Sequence, residues 1–421
     1  MSRDDGMTAV SADEFNDNVV RSLAGQSTAS VYVGSPFCPT RCLSCTRDSM
    51  ASNDDGVRAS YNANVIKEVQ QRFGNRSDPK PISRFKLAGG TSNLDNDNAI
   101  AMLVTGVQEF FPFIDDGFMR AEISLSASRT SISQMRLLRA LGFNSVKFEV
   151  RDIDPTVQQG IGRSQSVRMI EDAVGQARDS GFEEVTLDFV YGLPGQTVES
   201  LRRSLAIITN QINPDRIDTE AFVPNANRHA HHRALTQIAS CSLADRFAMF
   251  STLVNELKHA GYEWIGVDCF VKSDHPFIKA QAQGTLHRDS NGWSIDKSDV
   301  ALGFGVAAIS EAIGMVAKNV SDINAWINPQ QNGSLFESTK MYSQRQQIAR
   351  AAFRSILCNV RVKKNQFSDF DDGDIKIAFG DLIERGTIMD CGDSLSLSDV
   401  GRLALGVQFS SLANDHQWLM H

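Results

Sequence analysis

Short apolar runs alternate with longer helix-like segments over residues 31–222, and this alternation limits the possible folds more than any other feature of the chain. Strands separated by helices of such length pair in parallel through right-handed crossovers. Six repeats favour an α/β fold built as an open three-quarter barrel, although the count does not exclude a closed eight-stranded barrel. The predicted strands are Ser30–Val33, Phe85–Leu87, Glu122–Leu125, Val146–Val150, Val185–Val190 and Arg216–Phe222. The predicted helices are Tyr61–Phe73, Ala99–Phe111, Ser131–Leu141, Val167–Ser180 and Glu199–Ile208.

A loop with three cysteines follows the first predicted strand. Cys38, Cys42 and Cys45 have the spacing C-x3-C-x2-C. Three thiolates can each bind one iron of a cubane iron–sulfur cluster, and the fourth iron is then open to a ligand. A structural zinc site would need a fourth Cys or His, and none lies near this loop in the sequence. The spacing therefore predicts a 4Fe-4S cluster with one open iron.

Composition narrows the class of protein. The 421 residues carry a net charge of −8, which argues against nucleic acid as a partner because phosphate binding needs a basic surface. Seven cysteines, three of them in one loop, fit a reducing compartment better than a disulfide framework. The first residues lack the apolar core of a signal peptide, and no apolar run has the length of a membrane span. We therefore expect a cytoplasmic protein.

Several polar or glycine residues lie at or just after predicted strand ends. In parallel barrels, chemistry gathers at the carboxyl ends of the strands, so one shared site is predicted there. The paired glycines would let the backbone approach a ligand closely, although a tight turn would also explain them. The residues at these strand ends are Cys38, Gly89, Gly90, Ser126, Arg151 and Asp188.

Asp188 lies within an otherwise apolar run, so its carboxylate needs a partner. It could bind hydroxyl groups of a ligand or cap the turn between Gly192 and Gly195, and the sequence leaves both interpretations open. The guanidinium group of Arg163 is suited to a ligand carboxylate.

Residues 224–234 form a polar segment with His229, His231 and His232. Three clustered histidines are compatible with a metal site, but a solvated basic loop is the favoured interpretation.

The pattern changes after residue 222. The sequence predicts a helix over Ser242–Ala260 and a single strand over Tyr262–Phe270. The last hundred residues are predicted to form a small, mostly helical domain. Within it, Leu382–Leu397 predicts a helix end followed by a β-hairpin around Gly392, which is winged-helix-like. Because the chain is acidic, a packing or lid role is favoured over DNA binding.

The cysteine spacing, with Phe37 before the first cysteine, resembles the signature of radical S-adenosylmethionine (SAM) enzymes. The resemblance implies a partial (three-quarter) parallel β/α barrel of the radical SAM type. It also implies a 4Fe-4S cluster on Cys38, Cys42 and Cys45. In that family SAM chelates the open iron and is cleaved to a 5′-deoxyadenosyl radical.

The chain contains six further blocks: AGGTSN, VRDIDPTVQQGIGRSQ, DFVYGLPGQT, WIGVDCFVKSD, GTLHRDSNGW and LGFGVAAIS. These blocks resemble the oxygen-independent coproporphyrinogen III dehydrogenases (oxidases). This resemblance implies a cytoplasmic oxidoreductase of porphyrin and haem biosynthesis that oxidatively decarboxylates porphyrinogen propionates to vinyl groups. It further implies a tetrapyrrole substrate, one or two SAM molecules and an electron donor such as flavodoxin or ferredoxin.

The same resemblance implies roles for individual residues. Arg151 and Ile309 would contact a second SAM. Arg47 stands where the family has a fourth cysteine, and Ser126 stands where it has a glutamate. The residues implied to line the first SAM are Tyr32, Gly89, Gly90, Thr91, Arg163 and Asp188.

Four segments are predicted: a short N-terminal extension (1–28), the radical SAM core (29–225), a family-specific extension that completes it (226–319) and the C-terminal domain (320–421). Two alternative functions stay open. A diverged relative would use the same cofactors on another substrate, for example in methyl transfer. A haem-binding or haem-delivery protein would keep the fold without the reaction.

Overall fold

The core of the molecule is a parallel sheet. A computed structural model gives the structure of residues 7–25, 29–74, 80–113, 120–235, 241–295, 298, 300–328, 334–367 and 372–415. The six predicted strands are all present and pair in parallel in chain order, so their carboxyl ends lie at one edge. The strands are β1 Ala29–Ser35, β2 Ile82–Gly89, β3 Arg120–Leu125, β4 Ser145–Arg151, β5 Glu184–Tyr191 and β6 Arg216–Ala221.

The crossovers between these strands are helical, as predicted. The first begins at Asp55, earlier than expected, because the carboxylate of Asp54 accepts hydrogen bonds from the N–H groups of Gly56 and Val57 at 2.8 and 3.2 Å. The crossover helices are Asp55–Phe73, Asp97–Gln108, Ile132–Ala140, Pro155–Gly160, Val167–Asp179 and Val198–Ile207.

Residues alternate between the two faces of each strand, and β4 shows this clearly. Val146, Phe148 and Val150 are fully buried in the core beneath the helices. Lys147 and Glu149 lie on the other face, toward the interior of the barrel. Inward residues of five strands line one cavity of about 390 Å³, so the sheet is curved around it. The inward residues are Lys86, Glu122, Lys147, Asp188 and Asp218.

Further strands extend both edges of the parallel core. Strand Ala301–Phe304 is parallel to β1, and three antiparallel strands follow it outward: Ile309–Ala312, Met315–Asn319 and Phe336–Met341. The outermost strand on this side is Thr8–Ala9, where Thr8 pairs with Met341. In the described residues the sheet has 13 strands, and the predicted partial barrel is its parallel part.

The other edge corrects one prediction. Residues predicted as one strand, Tyr262–Phe270, form a hairpin of two strands, Tyr262–Ile265 and Cys269–Lys272, and the second pairs with β6. The chain reverses at Gly266, whose φ of 52° is in the left-handed region that glycine favours. In the run WIGVDCF, apolar residues lie on both sides of this glycine, so the sequence predicted one continuous strand instead of a turn.

The C-terminal residues have a second, smaller core. The helix-then-hairpin prediction is confirmed by helix Asp372–Glu384 and strands Ile388–Asp390 and Ser394–Leu397. Arg402 joins this part to the sheet, because its guanidinium donates to the carbonyls of Trp264 and Gly266 at 2.8 and 2.9 Å. The predicted domain boundaries stay predictions.

Further helices and one further hairpin lie outside the parallel core. No helix in the described ranges is long and apolar enough to cross a membrane. The other helices are Ala12–Ala24, Leu243–His259, Pro276–Gln283, Ile323–Ile327, Gln344–Asn359 and Asp399–Asp415, and the other hairpin consists of His287–Asp289 and Gly292–Ser294.

Glu311 anchors helix Gln344–Asn359 to the sheet. Its carboxylate accepts hydrogen bonds from Arg350 and Arg354 at 2.8 to 3.0 Å. Burial opposes ionisation, but the two guanidinium groups outweigh it and hold the pKa of Glu311 well below its ordinary value of 4.5. The pair therefore adds stability above pH 4.5, and this stability is lost as the pH falls toward the folded pKa.

We predict that Glu311→Gln lowers the free energy of unfolding by about 2 kcal/mol at neutral pH, because two guanidinium groups lose their carboxylate. The deficit should shrink at about pH 3, because the carboxyl group of the unfolded parent is protonated below pH 4.5 and the charged folded form is then favoured less. Urea unfolding at neutral pH and at about pH 3 measures the difference in the free energy of unfolding between parent and variant. Glu337→Gln, at a half-exposed ion pair with Lys318, is the control and should change stability little. An equal deficit at both pH values would contradict the assignment.

Candidate active site

Most of the predicted site residues surround one small cavity at the carboxyl ends of the strands. The cavity holds about 150 Å³. It joins the cysteine loop, the turn after β2 and the end of β4, as expected from parallel pairing. The predicted residues that line it are Cys38, Cys42, Cys45, Gly89, Gly90, Thr91, Ser126, Arg151 and Arg163.

Three predicted residues lie elsewhere. Asp188 lines the neighbouring cavity of about 390 Å³ inside the barrel. Tyr32 is half-buried in β1, and loss of solvent raises the pKa of its phenol. Ile309 lines a third cavity of about 420 Å³ with Arg228 and Tyr342. Their roles toward SAM stay predictions.

The cysteine loop is closed by backbone pairing at its base. Short strands Phe37–Cys38 and Met50–Ala51 run in parallel, and the N–H of Ser52 donates to the Cys38 carbonyl at 3.0 Å. Within the loop, the N–H of Leu43 donates to the carbonyl of Ile161 at 2.9 Å. These bonds hold all three half-buried, free thiols on one wall of the cavity.

The Gly89–Gly90 turn lies directly against the start of the cysteine loop. The N–H of Gly90 donates to the carbonyl of Ser35 at 2.5 Å, and that of Thr91 donates to the carbonyl of Phe37 at 2.7 Å. A Cβ on Gly90 would lie 2.1 Å from the Phe37 carbonyl oxygen. The chain itself therefore requires glycine here, whatever ligand the turn also serves.

Arg163 lies beside the thiols. Its Nη1 is 3.4 Å from Sγ of Cys42, and its Nη2 donates to the Glu149 carbonyl. The guanidinium thus faces both the thiols and the open part of the cavity, where it could bind a ligand carboxylate.

An ion-pair network at the end of β4 was missed by the sequence reasoning. The carboxylate of Glu149 accepts a hydrogen bond from Arg47 and lies 4.0 Å from Arg151. Burial opposes ionisation of Glu149, but Arg47 and Arg151 outweigh it and lower its pKa to about 2. The alternation Lys147, Glu149, Arg151 within an apolar strand was the available signal, because buried charges must be paired.

Arg47 connects the two cavities. Its Nη1 also donates to the Gly89 carbonyl at 2.7 Å, and a third of its side chain is exposed. It lines both the 150 Å³ cavity with the thiols and the 390 Å³ cavity of the barrel. We name these the thiol cavity and the barrel cavity.

Arg151 and Asp188 form a second ion pair, at 3.4 Å. The turn between Gly192 and Gly195 is capped by Gln196, whose Oε1 accepts from the Gly192 N–H at 2.7 Å. The capping interpretation of Asp188 is therefore wrong. Arg151 has a φ of 68°, which is strained for a residue with a side chain and marks a bulge in β4.

The histidine segment is not the solvated loop that was expected. His232 is fully buried and His229 nearly so, while His231 is half-buried. The Nε2 atoms of His231 and His232 both lie 2.9 Å from the carbonyl oxygen of Cys45. The segment folds onto the cysteine loop, which lies 186 residues earlier in the chain.

The thiol cavity suits an iron–sulfur cluster better than a single metal ion. Within the described residues no three His, Cys, Asp or Glu side chains converge on one metal position. A cubane has a different requirement, since three of its four irons each take one thiolate and the three sulfurs stay apart. Burial raises the pKa of the Cys38 thiol, and the Thr91 hydroxyl partly offsets this effect. A positively charged metal would favour the thiolate there.

Comparisons with known proteins agree with this geometry. Residues 32–208 match the family model described as the radical SAM superfamily. The solved structure of coproporphyrinogen III oxidase from Escherichia coli superposes with a TM-score of 0.86, covering 97% of this chain and 95% of that chain at 24% identity. The match to the family model covers most of the parallel core of the chain, and the cofactors that it implies are a 4Fe-4S cluster and SAM.

The chain is also similar to proteins named oxygen-independent coproporphyrinogen III oxidase. The protein of that name from Pseudomonas aeruginosa is 28% identical over 78% of this chain and 72% of its own length. Those from Salmonella typhimurium and Escherichia coli are 29% and 27% identical, over 80% and 89% of this chain and 73% and 83% of their lengths.

We predict that Gly90→Ala destabilises the protein by about 1–3 kcal/mol, because the added methyl group collides with backbone that cannot move freely. Iron content after anaerobic reconstitution should fall as well, since the collision displaces the start of the cysteine loop. Thermal unfolding and iron analysis measure the two effects. Gly175→Ala is the control: a Cβ there meets no atom within 4 Å, and alanine favours its helix. Parent-like Gly90→Ala would show that the turn does not hold the loop.

Proposed function

We propose that this protein is an oxygen-independent coproporphyrinogen III oxidase, which oxidatively decarboxylates propionate side chains to vinyl groups. The observation that carries the proposal is the junction of two cavities, one lined by three free thiols and one by cations, at the strand ends of a radical SAM barrel. When bound, the cluster and SAM supply an electron and a 5′-deoxyadenosyl radical. Each propionate would lose a β-hydrogen atom to that radical, which forms 5′-deoxyadenosine, and would then release CO2 and pass one electron to an external one-electron acceptor.

The residue assignments are part of this proposal. Cys38, Cys42 and Cys45 would each hold one iron. Arg163 would bind the SAM carboxylate, because its guanidinium faces the thiol cavity beside Cys42. The residues proposed to complete the SAM sites are Tyr32, Gly89, Gly90, Thr91, Arg151, Asp188 and Ile309.

The barrel cavity suits a substrate with several carboxylates. Six cationic side chains line it, although the chain as a whole is acidic. They are neutralised by neighbouring carboxylates, as in the pairs Lys86–Glu122 at 2.8 Å and Lys147–Asp218 at 2.9 Å. A propionate can therefore bind by taking over a cation from a resident carboxylate. The cations are Arg47, Arg84, Lys86, Lys147, Arg216 and Arg288.

Arg47 would orient the propionate that reacts. It lies where the two cavities meet, so a carboxylate held by it would be near SAM. The proposal also includes a reducing, cytoplasmic location, which seven free thiols suit, and an electron donor such as flavodoxin or ferredoxin.

The first test uses anaerobically reconstituted protein reduced beforehand, SAM, coproporphyrinogen III and a one-electron acceptor. We predict about four irons per chain and release of vinyl product, CO2 and 5′-deoxyadenosine. Cys42→Ala should lose both cluster and activity, whereas Cys391→Ala, at an exposed thiol, should match the parent. Cleavage of SAM without decarboxylated product would refute the substrate and favour another radical reaction. Porphyrin binding without SAM cleavage would favour a haem-handling role.

The second test concerns Arg47. Arg47→Met should reduce kcat/KM for coproporphyrinogen about 10- to 100-fold, because a charge-assisted hydrogen bond to the propionate is lost. Uncoupled SAM cleavage and iron content should remain. Arg47→Lys should recover only part, since an ammonium group cannot form two parallel bonds. Arg168→Met removes an exposed cation and is the control. Unchanged kcat/KM in Arg47→Met would refute the role.

A further inference from the structure

The carbonyl group of Cys45 has two imidazole partners. His231 Nε2 and His232 Nε2 each lie 2.9 Å from its oxygen. A carbonyl oxygen only accepts hydrogen bonds, so both Nε2 atoms carry a proton and donate. Both lone pairs of this carbonyl are thus directed at the histidine segment.

The tautomer of His232 is fixed independently. Its Nδ1 lies 2.9 Å from the backbone nitrogen of Asn225 and must accept that N–H. The proton of the neutral ring is then on Nε2, the atom that faces Cys45. This buried imidazole therefore bridges the backbone of its own segment and the backbone of the cysteine loop.

Apolar packing keeps the two segments in contact. Leu43 of the cysteine loop packs in a small cluster that contains Phe222 and Leu235, which flank the histidine segment. The Phe222 ring meets the His232 ring edge to face at 5.4 Å. This packing limits movement of the histidine segment relative to the cysteine loop. The two donors, His231 and His232, therefore act as a rigid clamp on the Cys45 carbonyl rather than as flexible surface side chains.

We infer that His231 and His232 are positioning residues for the cysteine loop. Their two Nε2–H groups hold the Cys45 carbonyl and thereby fix the third thiol of the cluster site. The inference rests on the proposed cluster. Because hydrogen bonds around an iron–sulfur cluster tune its reduction potential, the two dipoles also make the cluster easier to reduce.

The test compares three forms of the full-length protein after anaerobic reconstitution. The double variant His231→Phe/His232→Phe keeps ring size and removes both donors. His231→Gln/His232→Gln restores an amide N–H, and glutamine can also accept the Asn225 N–H. His229→Phe is the matched control, because its ring packs against both imidazoles at 5.7 and 5.0 Å within the same segment.

Three quantities are measured. Iron loss to a chelator should be about tenfold faster in the double Phe variant, because two hydrogen bonds to the loop are gone. Its cluster potential should shift to a more negative value. In iron-free protein, amide hydrogen exchange over residues 38–49 should be faster. The Gln variant should return toward the parent in all three, and His229→Phe should match the parent.

The outcomes distinguish failure of the proposed function from failure of the inferred role of His231 and His232. If the parent holds no cluster, the proposed function fails, while exchange in the iron-free loop still tests the clamp. If the parent holds a cluster and the double Phe variant equals it in chelation, potential and exchange, the inference fails. Should the double variant not fold, His231→Phe alone, at the half-buried position, must show faster chelation than His229→Phe, and equality overturns the inference.

Discussion

Parallel hydrogen bonding between six neighbouring strands is the constraint on which the rest of the molecule depends. It brings their carboxyl ends to one edge, so loops far apart in the chain share two adjoining cavities. The contact of Gly90 with Phe37 then sets how near the turn after β2 comes to the cysteine loop. A side chain at that point would separate the thiols from the residues facing them.

Electrostatics inside the barrel follow from the same geometry. Inward positions of the strands carry charges that water does not reach freely, and these charges pair with counter-ions on other strands of the barrel. Arg216 illustrates this, since it contacts Glu122, Glu184 and Asp218 at 2.9 to 3.0 Å. The interior is therefore neutral on average but rich in groups that can change partners, which suits recognition of a polyanion without a basic surface.

The six strands, their helical crossovers and the shared position of the thiols could be predicted because each depends on local pattern. The apolar periodicity of each element and the spacing between elements can be read from residues close together in the sequence, and parallel pairing follows from them. The Glu149 network and the clamp on Cys45 could not be predicted. They join residues more than a hundred positions apart, and nothing near His232 indicates that its partner is a carbonyl 187 residues earlier. Gly266 was missed for a local reason, because apolar residues on both sides resemble one strand.

The order of strands in the sheet also differs from the order in which a ribosome makes them. β1 is paired with β2 on one side, but its other neighbour, Ala301–Phe304, is synthesised some 270 residues later. Until then a long, apolar strand edge is open, and open edges invite pairing with other chains. The nascent barrel is thus exposed to misassembly on the very strand that leads into the cysteine loop, and this strand is protected only after Ala301–Phe304 has been synthesised.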